Sequence, residues 1–449
     1  MLADHGPEKR TGVQEAAQAA TATVTTPTTP GTASTPVPTP ASEADIDKNT
    51  ARSGWSDRLR SPMTGGDITW ARALIIGLLT YVVSRIAVAA GAGVRAAQRV
   101  VDANQAGVAP PGSGVDLITE VSTSWDGLWY LAIVRDGYPT LVPPNVTYFE
   151  PEARAAFFPL YPTLVRIFDP IIPGGDTFSA LTLNLLLGAV AVVLVGLLAR
   201  RLYDNTIALY AMMLTAVFPG SFVMSFAYAE TLLIVLAALC LLSLHDERWL
   251  LAGIFAALAT ATRPNGIALV AACIVAAALA IHRRRDWWSL IAVVLSPLGF
   301  VAFQLYLGAQ AKERLVWFRV QSEAWDEGTS FGLTALRHIA DFLRSPLNSP
   351  TDAVTTITII TLVAAMIILF SERLPAPMVA FTVVIVALML VPDTVTARPR
   401  FMFTAFPLFI AVAAWLPRRE RAIWDLVLVS SGAGLAALTA LYGVYGAIP

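Results

Sequence analysis

The sequence predicts an all-α polytopic membrane protein with about eleven transmembrane helices and two long extracytoplasmic loops. Three observations lead there. Of its 449 residues, 56% are hydrophobic and 14% charged, against roughly 45–50% and 25% in an ordinary soluble domain. The mean hydropathy of +0.62 comes from repeated apolar runs near the length that crosses a bilayer. Arginines recur in the short connections between those runs, which gives the spans a common orientation. A soluble enzyme is excluded. With a net charge of -1 and no basic stripe interleaved with aromatics, nucleic acid is not an expected partner. Cys240 and Cys273 lie inside apolar runs and His5, His245, His282 and His338 are scattered, so neither a disulfide framework nor a His/Cys metal centre is expected.

Residues 1–66 are rich in Thr, Pro and Ala and cannot bury enough apolar surface to offset their chain entropy. They are expected to form a disordered cytoplasmic tail. A signal peptide is not expected, because the first long apolar stretch begins at Trp70. Asp45-Ile46-Asp47 has the DxD form that nucleotide-sugar enzymes use to hold a metal, but such short motifs arise readily by chance and no role is assigned.

The membrane domain, 67–449, is expected to carry spans at roughly 70–93, 177–199, 207–224, 229–245, 249–263, 266–282, 287–309, 353–371, 376–392, 401–416 and 426–448, several of them short for a crossing. Arg58, Arg60 and Arg72, Arg200 and Arg201, Arg283 to Arg285, and Arg418, Arg419 and Arg421 then fall on one side, the cytoplasmic side of a plasma membrane. The long connections 94–176 and 310–352 face outward with most of the carboxylates outside the tail. No half of the chain repeats in the other, which weighs against an inverted-repeat transporter.

The most informative segment is SWDGLWYLAIVRDGYP, Ser124 to Pro139. As a helix from Trp125 to Val134 it places Trp125, Leu128, Trp129 and Ala132 on an apolar stripe, with Asp126 and Tyr130 one turn apart on a neighbouring face. Such a stripe suits the membrane interface, where Trp and Tyr prefer to sit. Asp126 there is positioned to take the proton of an acceptor hydroxyl while a second substrate stays anchored in lipid. Asp also caps helices well, and both readings stand at this point. In AFFPLYPTLVR, Pro159 and Pro162 bracket Leu160-Tyr161 and suggest a bent aromatic element, either the wall of a cleft or ordinary packing at a span entrance.

Glu230 stands at the outer end of the fourth span, as a helix-start acid favoured by the dipole or as a cavity group. Arg263 precedes Pro264, Asn265 and Gly266, a turn signal, which presents a guanidinium at a hairpin tip suited to a phosphate. Arg398 and Arg400 break the positive-inside preference, either as an outer phosphate clamp or as a headgroup contact.

Trp125-Asp126-Gly127 with Trp129-Tyr130, Phe157 to Pro162, Tyr228-Ala229-Glu230, Thr262 to Gly266, and Arg400-Phe401 occur in the order seen in the PIG-V type (GPI mannosyltransferase 2) family, which the chain resembles from about Trp70 onward. The resemblance implies a multi-span GT-C glycosyltransferase that moves a sugar, typically mannose, from a polyprenyl-phosphate donor on the non-cytoplasmic face. It assigns Asp126 as the base or acceptor-positioning acid. Trp125, Trp129, Tyr130, Tyr161, Glu230 and Asn265 would line the substrate cleft, and Arg400, Arg398 and Arg263, in that order, would meet the lipid phosphate. No metal or other cofactor is called for. The three lysines against 28 arginines suit a high-GC actinobacterial member, so the acceptor is expected to be an envelope glycolipid, a lipoglycan or an exported protein rather than a GPI precursor. The alternatives are a transporter or flippase of a lipid-linked substrate, or a non-catalytic assembly protein. The concentration of polar and aromatic features on one face favours chemistry there.

Overall fold

The computed structural model describes residues 68–109, 112–346, 348–393 and 399–444. The expected tail, with Asp45 and Asp47, and Arg58, Arg60 and Arg398 lie outside the described residues. Eighteen α-helices follow in order among them: α1 (Trp70–Gln105), α2 (Gly114–Ser122), α3 (Asp126–Asp136), α4 (Leu160–Phe168), α5 (Gly175–Leu202), α6 (Asn205–Val217), α7 (Glu230–His245), α8 (Trp249–Thr260), α9 (Ala268–Arg284), α10 (Leu290–Leu295), α11 (Leu298–Gln310), α12 (Val316–Ala324), α13 (Leu333–Arg344), α14 (Pro350–Ser371), α15 (Ala376–Leu390), α16 (Pro399–Thr404), α17 (Pro407–Trp415) and α18 (Arg421–Gly443). Short 3₁₀ turns join several of them.

All eleven apolar segments contain helix. Six helical stretches are long and apolar enough to cross a membrane: Trp70–Gln105, Gly175–Leu202, Pro264–Arg284, Trp287–Gln310, Pro350–Ser371 and Arg421–Gly443. The chain is a multi-pass membrane protein. The pair Asn205–Val217 and Pro219–Ser225 reaches that length only across a 76° bend. α7, α8, α15 and the Pro407–Arg418 segment are shorter.

The bend has a local cause. Pro219 disfavours helical backbone at Phe218, whose ψ is 138°. The carbonyls thus freed are met by Arg85, a buried residue of α1, which donates to Ala216 O at 2.9 Å and to Ser221 O at 2.6 Å. Below the bend, the arginine-rich turns gather at one end of the bundle: Arg201 pairs with Asp246 at 2.7 Å and Arg418 with Glu372 at 2.8 Å, while Arg200 lies over Trp70.

Three expectations change. α1 does not stop near residue 93, because its continuation contains no breaker before Gly107; its 36 residues extend about 54 Å, past a hydrocarbon core of ~30 Å. In α3 the buried face is Gly127, Tyr130, Leu131 and Val134, whereas Leu128 of the expected apolar stripe is 59% exposed. The Tyr130 face turns inward because it meets the Phe157 and Tyr161 rings. The segment expected to bend around two prolines forms the regular helix α4, with Pro159 at its N-cap and Pro162 in the first turn, where no intrahelical N–H is lost.

The two long connections, 94–176 and 310–352, share a core of their own. Ile133, Tyr138, Val142, Val146 and Phe158 from the first pack with Trp317 and Val320 from the second and with Phe303 and Leu307 of α11. Arg319 fastens the edge, donating to Val142 O and Pro143 O at 3.1 and 3.0 Å and to Glu313 and Glu323, each at 2.7 Å.

Candidate active site

Two carboxylates each open a helix on the same side of the bundle. Asp126 is the first residue of α3 and Glu230 the first of α7, positions where the helix dipole favours negative charge. The backbone passes into α3 through Trp125 at φ 56°, a left-handed conformation that is an outlier for so bulky a residue. The stretch leading into α3 is laced to the one leading into α7. Ala227 N–H donates to Ser122 O at 2.9 Å, and the Tyr228 hydroxyl donates to Ser124 O at 3.3 Å. From α5, the buried Asn184 amide donates to Val223 O at 3.2 Å, to Tyr228 O at 2.8 Å and to Phe226 O, which fixes the unwound stretch before Glu230.

Two arginines arrive from elsewhere. Arg263 sits on the turn after α8, held by Leu160 N–H donating to Ala261 O at 3.1 Å. A Cβ on Gly266 would stand 2.4 Å from Ala259 O, so only glycine lets that turn close. Arg400 is the second residue of α16, and a Cβ on Gly220 would stand 2.2 Å from Pro399 O. That close approach seats Arg400 beside the bend.

The four side chains converge. Arg400 Nη1 donates to Asp126 Oδ2 at 2.8 Å. Arg263 Nη1 stands 3.7 Å from the same oxygen and 3.0 Å from Glu230 Oε2, and Arg400 Nη1 stands 3.7 Å from Glu230 Oε1. Formal charge sums to zero, which is what allows four ionised groups to be buried together. Glu230 is 0% exposed and the Asp126 side chain 12%. The Arg400 guanidinium lies 4.7 Å from the Phe401 ring centroid and 5.7 Å from that of Tyr228. Arg263 Nε and Nη1 and Arg400 Nε make no hydrogen bond of good geometry, so buried donors are left for a further acceptor.

Asp126, Arg263 and Arg400 face a cleft of about 640 Å³. Trp125, Asp126, Tyr130, Arg263, Asn265 and Arg400 line it, as expected from sequence. Burial pushes the Tyr130 hydroxyl well above its ordinary range, so it presents an O–H donor. The other expected cleft residues stand behind the wall. Glu230 backs the arginines. Trp129 packs against Tyr148 at 5.5 Å and Trp325 at 6.0 Å. Tyr161 is fully buried, its hydroxyl donating to Ala180 O at 3.2 Å and its ring 5.2 Å from that of Tyr130. None of these three is among the residues that line the cleft. As for the capping reading of Asp126, no side-chain cap closes α3 and the carboxylate is turned to Arg400.

Sequence reasoning missed the wall contributed by the second long connection, with Trp317, Gln321, Trp325, Asp326 and Glu327. A signal was present: Trp317, Gln321, Ala324 and Trp325 recur at i, i+4, i+7 and i+8, one face of a helix. Among the described residues no group of three or more His, Cys, Asp or Glu is arranged to hold a metal.

A family model described as dolichyl-phosphate-mannose-protein mannosyltransferase (PMT_2) matches residues 154–307. That match supports a membrane glycosyltransferase. It covers roughly a third of the chain, including Phe157 to Pro162, Glu230 and Arg263, and leaves Asp126 and Arg400 outside. No curated protein sequence matches. Among solved structures, the chain is similar to the apo form of an Archaeoglobus fulgidus oligosaccharyltransferase, with 13% identity over 83% of this chain and 56% of that one and a TM-score of 0.42. The same enzyme tethered to an acceptor peptide gives 14% identity over 72% and 51%, with a TM-score of 0.37. The chain spans about half the length of these structures.

Proposed function

We propose that the protein transfers mannose from a polyprenyl-phosphate donor to a hydroxyl of an extracytoplasmic acceptor, with inversion and with Asp126 as base. The observation that carries this reading is the convergence of two guanidinium groups on one oxygen of a cleft-facing carboxylate. As the acceptor oxygen bonds to the anomeric carbon, the bond from that carbon to the phosphate oxygen breaks and its electron pair leaves with the phosphate. The acceptor proton passes to Asp126. Negative charge thus disappears from Asp126 while it grows on the leaving phosphate, and the same arginines, Arg400 first and Arg263 second, serve both.

The ion pairs also set an order of events. In the resting cluster Arg400 donates to Asp126 Oδ2 and so occupies the oxygen that is to take the proton. A donor phosphodiester draws Arg400 toward itself and releases Asp126, whereas Glu230, fully enclosed, stays as the permanent counter-ion of the pair. Arg398, outside the described residues, is a third candidate for the phosphate. The acceptor is an envelope glycolipid, lipoglycan or exported protein, and the arginine-rich turns lie in the cytoplasm.

Membranes supplied with labelled polyprenyl-phosphate mannose test the reading. Asp126→Asn should lose transfer by about 100-fold or more while the protein remains inserted and still binds donor. A flippase would move the donor and transfer nothing in either form. Near-wild-type transfer by Asp126→Asn would refute the assignment.

A further inference from the structure

The cleft has two chemically different ends. Its lining cations, Arg263 and Arg400, stand together beside Asp126. Beyond Phe157, whose ring touches Tyr130 at 5.0 Å on one side and Trp325 at 5.3 Å on the other, the lining changes to Tyr148, Trp325, Gln321, Asp326 and Glu327. Among the described residues no cation lines that half.

Trp325 is fixed as a wall rather than left as a loose ring. It packs edge-on to Tyr148 at 4.9 Å and Trp129 at 6.0 Å. The chain after it is stapled to the end of α15, through Ser330 N–H to Val391 O at 2.8 Å and Asp393 N–H to Gly328 O at 3.0 Å. Between these anchors Asp326 takes φ 49° and stands exposed at the cleft mouth, without an ion pair among the described residues.

Rigid aromatic rings give a flat apolar platform, and carboxylates only accept hydrogen bonds, so together they suit a ring that is apolar on its faces and bears hydroxyl donors at its rim. The exposed Asp326 carboxylate also disfavours an anion there. The transferred sugar is bonded directly to the donor phosphate, so it lies beside the arginines and leaves this far half for the other substrate.

We infer that the half of the cleft formed by Tyr148, Gln321, Trp325 and Asp326 is the acceptor subsite, and that it takes an uncharged carbohydrate. This rests on the transferase reading above and names its acceptor class: a neutral glycan or glycolipid head, in place of a peptide hydroxyl or a sugar carrying phosphate or carboxylate.

The test uses the full chain in detergent with labelled polyprenyl-phosphate mannose and three acceptor probes: an alkyl mannoside, the same mannoside phosphorylated, and a Ser/Thr peptide. Wild type should use the neutral mannoside best. Trp325→Ala should raise its KM about tenfold, Trp325→Phe should recover most of that, and Asp326→Asn, at an exposed position that cannot unfold the chain, should raise it severalfold. Donor KM should be unchanged in all three. An unchanged acceptor KM in both Trp325→Ala and Asp326→Asn overturns the subsite while leaving the transferase reading intact. Preference for the peptide or the phosphorylated probe overturns the acceptor class. Absence of transfer to any probe by the wild-type protein overturns the transferase reading, and the subsite with it.

Discussion

Arg400 donates from Nη1 to Oδ2 of Asp126 at 2.8 Å, across 274 positions of sequence. Neither residue has meaning alone in that contact. The arginine occupies one oxygen of the carboxylate, and the carboxylate occupies a guanidinium nitrogen that could otherwise bind another anion. A donor phosphate arriving in the cleft competes for the same nitrogen.

Arg400→Lys should therefore fail almost as badly as Arg400→Ala. An ammonium cannot divide its donors in a plane among Asp126, Glu230 and a phosphate, nor stack on Phe401 as the guanidinium does. The expected loss in kcat/KM for donor is about 100-fold. Steady-state kinetics with varied donor decides it, and retention of near-wild-type kcat/KM by the Lys variant would pass the phosphate role to Arg263.

Cysteine introduced at Asn145 should react with an impermeant maleimide in intact cells, and cysteine at Arg283 should not. Both positions are exposed, and the native Cys240 and Cys273 are buried. Labelling at Arg283 alone, or at both, would invert or abolish the outward placement of the cleft.

Replacing Arg85 by Met should lower the thermal unfolding temperature, by the equivalent of roughly 1–3 kcal/mol, because the Ser221 carbonyl would lose its guanidinium donor and the Ala216 carbonyl would keep only the Ser221 hydroxyl. Scanning fluorimetry in detergent reads it. An unchanged melting temperature would mean that the 76° bend is held by Pro219 alone.

Arg319→Ala should loosen the outer layer in a pH-dependent way. The hydrogen bond from Arg319 holds the Glu313 carboxyl below its ordinary range. A carboxyl depressed in the folded state contributes stability above its unfolded value, about 4.3, and loses it as pH falls through the lower folded value. The difference in melting temperature between wild type and Arg319→Ala should be full near neutrality and shrink below pH ~4. A constant difference down to pH 3 would assign the effect to the Val142 and Pro143 carbonyl contacts instead.

Much of this layout is legible in the chain. Apolar length locates the helices, because covering backbone polar groups in lipid leaves few alternatives. Asp126 stands out as an acid among aromatics, Arg263 and Glu230 because charge at membrane depth is costly, and Arg400 because it breaks the positive-inside preference. What sequence cannot supply is pairing. Nothing local shows that Arg400 meets Asp126 rather than lipid, or that Glu230 faces both arginines. The face of α3 departs from its sequence pattern for a related reason: Leu128 is the more apolar residue, yet Tyr130 is buried because rings from α4 and the preceding segment meet it there. The Trp317 to Trp325 face is readable by period, and is overshadowed by the acids around it.

The zero-sum charge cluster also constrains how the molecule is made. Its members emerge from the ribosome in the order Asp126, Glu230, Arg263, Arg400, so the growing chain carries two unmatched acids, then one, and is neutral only when its final segments are synthesised. Until then Asp126, whose hydrogen-bonded partner is Arg400, cannot settle into the largely enclosed position it finally occupies, since an unmatched buried carboxylate is strongly unfavourable. The last apolar stretches thus close the cluster as well as complete the bundle, and a nascent chain halted before Pro399 should remain open to an impermeant label at a cysteine placed at Ser124, which is buried in the finished protein.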